Sequence, residues 1–316
     1  MSTVLRSNTD TLIKIYHPDP ENYETNRPKY IHVKNLKINQ TVPCTAIDIG
    51  YSTEILLSNI LFSNVDTCVR VEQIWNSRFY NLHANACGYF MYFKTPTYGD
   101  YTADSYILFA RTSNHTSGGF YFENNAAKQV HIISSIAETQ GSAKCVEILS
   151  GNLHTTLLNC TILSKGDTCI ENNAYITKVQ GCEFFGTGDI KNTGTGMIFE
   201  NNFIGSSVRI LDYGNDMKIL GNSFDAGDYS AKTPPAVIVL GDGSSWITHV
   251  IISNNTFNWL KCQYVIYRDT VVGVNIVGNE FKNINYDNAY TTAYAIYNPP
   301  SAGIITCNEF RNTDKY

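Results

Sequence analysis

A six-residue pattern, apolar-x-(Gly/Ser/Asn)-(Asn/Cys)-x-aromatic, recurs along nearly the whole chain and is clearest as Ile276-Val277-Gly278-Asn279-Glu280-Phe281. Further copies are read at 33–38, 57–62, 79–84, 133–138, 157–162, 179–184, 198–203, 219–224, 252–257 and 305–310, and Ile107-Leu108-Phe109-Ala110 falls in the gap before the fourth. The interval is about two dozen residues, near the short end of repeat-protein periods. Between copies lies a second apolar run, as at 46–49, 69–72, 120–123, 146–149, 208–211, 237–240 and 265–267, bounded by Gly, Asn, Asp or Ser. Brief, imperfectly alternating runs between turn residues predict strands, and no amphipathic segment predicts a helix longer than about two turns.

A unit of about 24 residues with two or three short strands cannot bury its apolar side alone, so each must lie on the next at the sheet spacing of roughly 4.8 Å. The fold predicted is all-β: a single-stranded right-handed parallel β-helix of about 11 to 13 coils, the hand following from parallel crossover connections. One domain over residues 1–316 is expected, because a solenoid core grows in one dimension. Residues 1–30 read as a first coil and a Pro-rich loop (Pro18, Pro20, Pro28). The sheet edge exposed there leads to the expectation that a longer protein, or a partner, continues upstream.

Composition narrows the function. Charged residues are 16% of the chain, below the roughly 25% of ordinary globular proteins. With 21 tyrosines and turns rich in Asn, Thr and Ser, the expected surface is polar but uncharged, which suits carbohydrate. The net charge of -5 gives no electrostatic reason to expect nucleic acid, whose binders carry basic patches. No apolar stretch reads as a membrane span and no leader as a secretion signal, so membrane insertion is not expected, and synthesis in the cytoplasm without a signal peptide is. The nine cysteines include no Cys-x-x-Cys pair and recur at equivalent repeat positions, which predicts buried free thiols and no metal site. Asn201, Asn222, Asn255, Asn279 and Asn308 are read as a structural ladder at a turn.

Three insertions break the period, at 95–105, 225–235 and 283–292. The last two follow the same strand of the repeat, with Trp259 at the corresponding turn between them. They predict one aromatic edge carrying Tyr229, Trp259, Tyr286, Asp228 and Asp287, able to stack on and hydrogen-bond to sugars. Glycoside hydrolysis needs two carboxyl groups roughly 5 to 9.5 Å apart, and stacked coils supply such spacings. Glu147 and Glu171 occupy the same outward position of successive coils, where like-charge repulsion would raise one pKa. Asp212, Asp242 and Asp269 end the second strand in three successive coils and form a second candidate set. A lyase would want a cation beside a uronate carboxylate, for which Arg209 and Arg268 are available. His131, His154 and His249 read as surface residues, since no nucleophile motif accompanies them.

The repeated Ile-x-x-Asn-x-Phe coils, the early Val33-Lys34-Asn35-Leu36-Lys37-Ile38 and the opening Ser2-Thr3-Val4-Leu5-Arg6-Ser7 resemble the pectate-lyase-like β-helix of bacteriophage tailspikes and capsule depolymerases. The resemblance covers essentially the whole chain and is one of coil pattern. It implies a homotrimeric receptor-binding spike at the virion tail that binds and hydrolyses bacterial surface polysaccharide, capsule or O-antigen, without a cofactor. Attachment to the tail or baseplate would run through a region not present in this chain. The Gly-Asp-Gly-rich segment that commonly opens such domains is absent, as are the Gly-His-Gly and Arg-Ile-Lys signatures of the related polygalacturonases, so that catalytic set is not carried over. A non-catalytic glycan-binding adhesin or structural shaft, and a polysaccharide lyase, are the alternatives.

Overall fold

The computed structural model describes residues 3–5, 10–22, 27–40, 43–243, 246–269, 271–286, 288–297 and 302–311. The chain is an all-β parallel β-solenoid, and it divides into two compact units, residues 1–167 and 168–316.

In the first unit, His32–Asn39, Leu56–Ser63 and Arg78–Asn85 stack in parallel with Val33 over Leu57 over Phe79. His32 pairs with Leu56 and Leu56 with Arg78, giving coils of 24 and 22 residues. The second runs form the companion sheet: Thr45–Thr53, Thr67–Trp75, Tyr89–Phe93, Gly118–Phe122 and Lys144–Ile148. In the second unit, Val179, Phe199, Ile219, Ile252 and Ile276 line up one per coil and are buried. Coils shrink to 20 residues from Lys178 to Ile198 to Lys218, then swell to 33 from Lys218 to Ile251 to hold the insertion at 225–235. The sixth repeat position carries an inward ring stack, Phe224, Phe257, Phe281 and Phe310, with centroids 4.8 to 5.1 Å apart.

The repeat has a backbone cause. Its third residue is left-handed in coil after coil: Phe109, Ser134, Asn159, Gly181, Asn201, Gly221, Asn254, Gly278 and Cys307 all have φ between 48° and 66°. Gly and Asn accept that conformation at least cost. The corner turns the fourth residue inward, where Asn202, Asn222, Asn255 and Asn279 are buried. In Asn222, Asn255 and Asn279 the amide oxygen accepts the backbone N–H and the side-chain N–H of the asparagine in the coil before, as Asn255 Oδ1 does from Asn222 at 2.9 Å, while Asn202 Oδ1 accepts the Cys182 backbone N–H; each Nδ2 donates to a carbonyl of that coil.

Two copies read from the sequence are corrected by one residue. Ile132 pairs with Leu157 and Phe199 with Val179, so the copies start at 132 and 199, not at 133 and 198. The ladder asparagine is therefore Asn202, Asn201 being the left-handed corner, and Phe203 points outward with 37% of its surface exposed. With a side-chain period of two, a slip of one reverses every side chain. Phe203 mimics the aromatic sixth position, but Ile204 occupies it. Eight of the nine cysteines are buried free thiols and Cys307 is exposed.

Candidate functional site

The acids aligned by sequence fall in both units. Glu147 belongs to the first unit and is engaged by Lys144 at 2.5 Å; Glu171 belongs to the second, with Lys191 Nζ 3.6 Å away. Within the first unit Glu147 borders a tyrosine cluster. Tyr92 and Tyr121 pack at 4.9 Å with Tyr89 against both, and Tyr92 donates to Glu123. Burial, then the charges of Glu147 and Glu123, push the Tyr121 phenol up.

Asp212 is removed from any surface role, since it is fully buried. Its Oδ1 accepts from Asn192 Nδ2 at 2.8 Å, ending a chain in which Asn172 donates to Asn192, while Oδ2 has no hydrogen-bond partner among the described residues. Burial raises its pKa to about 7, against the opposing pull of the Asn192 and Gly214 hydrogen bonds. Asp242 and Asp269 are exposed. Asp212 lies in line with Leu240 and Arg268, so the three acids do not share a register position. Arg209 is committed to structure. Its Nε pairs with Asp189 at 3.0 Å and its Nη1 donates to the Thr233 and Pro234 carbonyls, clamping the 225–235 insertion with help from Lys232. Arg268 Nη1 donates to the Val271 carbonyl at 3.2 Å.

The aromatic edge forms in part. Trp259 and Tyr286 are 51% and 42% exposed and meet edge to face at 5.8 Å. Asp228 bonds Ser230 and lies 3.4 Å from Lys261; the Ser230 hydrogen bond leads the effects that lower its pKa. Tyr229 is a correction: it is fully buried and its hydroxyl donates to the Val208 carbonyl, so it holds the insertion down and offers no face to a sugar. Asp287 lies outside the described residues.

One receptive surface was missed by the sequence reading. On the first unit a groove of about 410 Å³ is lined by Glu54, Ile55, Leu56, Asn76, Arg78, Asp104 and Tyr106. Thr53, Trp75 and Ala103 are paired across three coils, so the residues that follow them, Glu54, Asn76 and Asp104, form one corner ladder, each with positive φ. The same strands place Leu56, Arg78, Tyr106 and His131 in the next line. Tyr106 stacks on His131 at 4.9 Å. Elsewhere the carboxylates of Asp48, Glu72 and Asp189 are closed by cations. Glu54, Arg78 and Asp104 have no ion pair among the described residues. Beyond Arg78 the exposed rings of Tyr80 and Phe109 meet edge to face at 5.6 Å. The legible signal was an acid three residues before the first apolar position of the repeat, at 54 and 104, with Asn76 between them.

Among the described residues, no group of three or more His, Cys, Asp and Glu is placed to hold a metal ion, and no helix is long and apolar enough to cross a membrane.

No protein-family model matches the sequence, and no curated protein matches it. Solved structures do share the fold. The PL6-family alginate lyase AlyGC superposes with a TM-score of 0.55 at 12% identity, over 99% of this chain and 49% of its own. The pre-mature gene product 12 of bacteriophage phi29 gives 0.50 at 10% identity, over 99% and 51%. Tailspike protein 3 of bacteriophage CBA120 gives 0.43 at 12%, over 99% and 51%. At these identities the likeness of the first two is one of fold, and the chain spans about half the length of each of the three.

Proposed function

We propose that this chain is a polysaccharide-binding and polysaccharide-hydrolysing β-solenoid of a phage tailspike, acting on capsule or O-antigen glycan. The homotrimeric state and the attachment to a tail through a region outside the chain belong to the same reading. The observation that carries it is the corner ladder of the first unit, where Glu54 and Asp104 flank Arg78 in a groove beside Tyr106 and none of the three charges has an ion-pair partner among the described residues. The two acids are two coils apart, roughly 9.6 Å along the stack, at the wide end of the spacing that lets one carboxyl protonate a glycosidic oxygen while the other activates water. Exposed Tyr80, Tyr106 and Phe109 offer ring faces to sugars along the same strands. The PL6 alginate lyase supports the reading as an enzyme of a polymeric sugar on this fold.

The test follows reducing ends and unsaturated uronate absorbance together on a panel of capsular and O-antigen polysaccharides. Reducing ends without the absorbance are expected, and Glu54→Gln and Asp104→Asn should each lower that rate at least about 100-fold while leaving glycan binding intact. Full activity in both variants removes the acids from the mechanism. Absorbance rising with reducing ends means elimination, and binding without cleavage means an adhesin.

A further inference from the structure

A second groove, of about 530 Å³, lies further along the same strands, and its chemistry is the opposite of the first. Its wall is an amide ladder. Asn35, Asn59 and Asn81 sit mid-strand with φ of 57°, 54° and 51°, which bends each strand at the same point. Asn59 Nδ2 donates to Asn35 Oδ1 at 3.2 Å and Asn81 Nδ2 to Asn59 Oδ1 at 2.9 Å. The last oxygen, Asn81 Oδ1, meets His83 Nε2 at 2.9 Å. Because that oxygen is an acceptor, His83 carries its proton on Nε2.

Strand register sets Lys37, Leu61, His83 and Arg111 in one outward line over four coils. No carboxylate lines the groove, and neither Lys37 nor Arg111 has an acidic partner within ion-pair distance among the described residues. In a chain of net charge -5, two cations, Lys37 and Arg111, sharing one line with the His83 imidazole and with no carboxylate among the described residues to neutralise them, form a local site for a negative charge. Leu61, 38% exposed, supplies an apolar patch in the middle of the line. His83 stands five residues after Arg78 on one strand, roughly 16 Å along it, with Tyr80 between them.

We propose that this groove binds the anionic substituent of a glycan, a carboxylate or a tetrahedral oxyanion carried on a sugar ring, with the ring over Leu61 and the negative charge drawn to Lys37 and Arg111. The proposal rests on the glycan-binding reading above and names its substrate class as acidic polysaccharide.

Calorimetric titration of the full chain with two matched probe pairs tests it: oligogalacturonate against its carboxyl-reduced product, and dextran sulfate against dextran. Binding of at least one charged member at least about tenfold more tightly than its neutral partner is expected, and the pair that shows it distinguishes carboxylate from oxyanion. The double variant Lys37→Gln/Arg111→Gln should abolish that preference and flatten its salt dependence, leaving affinity for the neutral partner unchanged. Equal affinity for charged and neutral members, a full preference in the double variant, or no binding of either charged probe overturns the proposal. Glu54→Gln serves as the separate control. Loss of hydrolysis with the anion preference kept supports both readings, and an anion preference in a wild type without hydrolysis retains the groove and rejects the catalytic acids.

Discussion

At the fourth repeat position the chain uses two residue types that share little in a substitution table, Asn and Cys, and the structure shows why they interchange. Asn255 Nδ2 donates to the carbonyl of Ile219, the first repeat position of the coil before, at 2.9 Å. Cys160 Sγ donates to the equivalent carbonyl, that of Ile132, at 3.4 Å. The thiol reproduces the contact with a weaker donor and a smaller volume. It has no oxygen to receive the two N–H groups that Asn255 takes from Asn222. Replacing Asn255 by Ala takes the partner from one buried carbonyl and two buried N–H groups and should cost about 2 to 4 kcal/mol, whereas Asn255→Cys should recover part of it. Chemical denaturation midpoints of the two variants decide this, and equal midpoints would mean that the thiol contact contributes nothing. The pattern of the repeat was legible because this position recurs. The register at Phe199 and Ile132 was not, because Phe203 and Ile133 are apolar neighbours that fit the pattern equally well when only composition is weighed.

The insertions show what a repeat pattern leaves unwritten. Their positions stand out as breaks in period, but which of their residues face solvent depends on what anchors them. The 95–105 loop is tied to Glu72. That carboxylate accepts from Lys94 Nζ at 2.8 Å, from Tyr16, from Tyr51 at 2.8 Å and from the Thr97 N–H at 2.9 Å. The loop at 225–235 is tied in the same manner by Asp189 between Arg209 and Lys232, with Tyr229 driven into the core. Tyr229 looks like a binding residue in sequence because aromatic content in a long loop usually serves a ligand, and Arg209 because a uronate carboxylate would want a cation; here both serve the loop. Glu54 and Asp104 escaped notice for the converse reason: they sit at left-handed corners, Glu54 just past the strand Thr45–Thr53 and Asp104 within Thr102–Leu108, away from the positions where in-register acids were sought. Glu72→Gln removes the charge from four hydrogen bonds at once, a loss of about 2 kcal/mol. It should show as faster protease cleavage within 95–105, mapped by mass spectrometry. Unchanged cleavage there, with cleavage elsewhere accelerated, would assign Glu72 to the column and not to the loop.

For the molecule as a whole, two buried carboxyls impose opposite pH slopes, one in each unit. Burial acts to raise the pKa of Glu72, but the hydrogen bonds from Lys94, Tyr16, Thr97 and Tyr51 outweigh it and hold the group at about 2, below its ordinary 4.5. A depressed folded-state pKa contributes stability that is present above 4.5 and lost as pH falls toward 2. Asp212 is raised from 3.8 to about 7 by burial. Its unfolded form ionises first, so stability is full below pH 3.8 and declines as pH rises to about 7, after which the loss is constant. The two slopes cross on the acid side of neutrality, and the contribution of this pair should be greatest near pH 4 to 5. Asp212→Asn separates them. The amide keeps an oxygen for Asn192 and places an N–H where the protonated acid would hold its own, so the variant copies the neutral acid and removes only the titration. Denaturation midpoints measured from pH 4 to pH 8 should fall in the wild type and stay level in the variant. At pH 8 the variant should be the more stable by on the order of a few kcal/mol. A variant whose midpoint falls in parallel with the wild type would place the pH dependence elsewhere and leave Asp212 ionised in the folded protein at neutrality, with its unpartnered oxygen as the site at which an internal water must then be found.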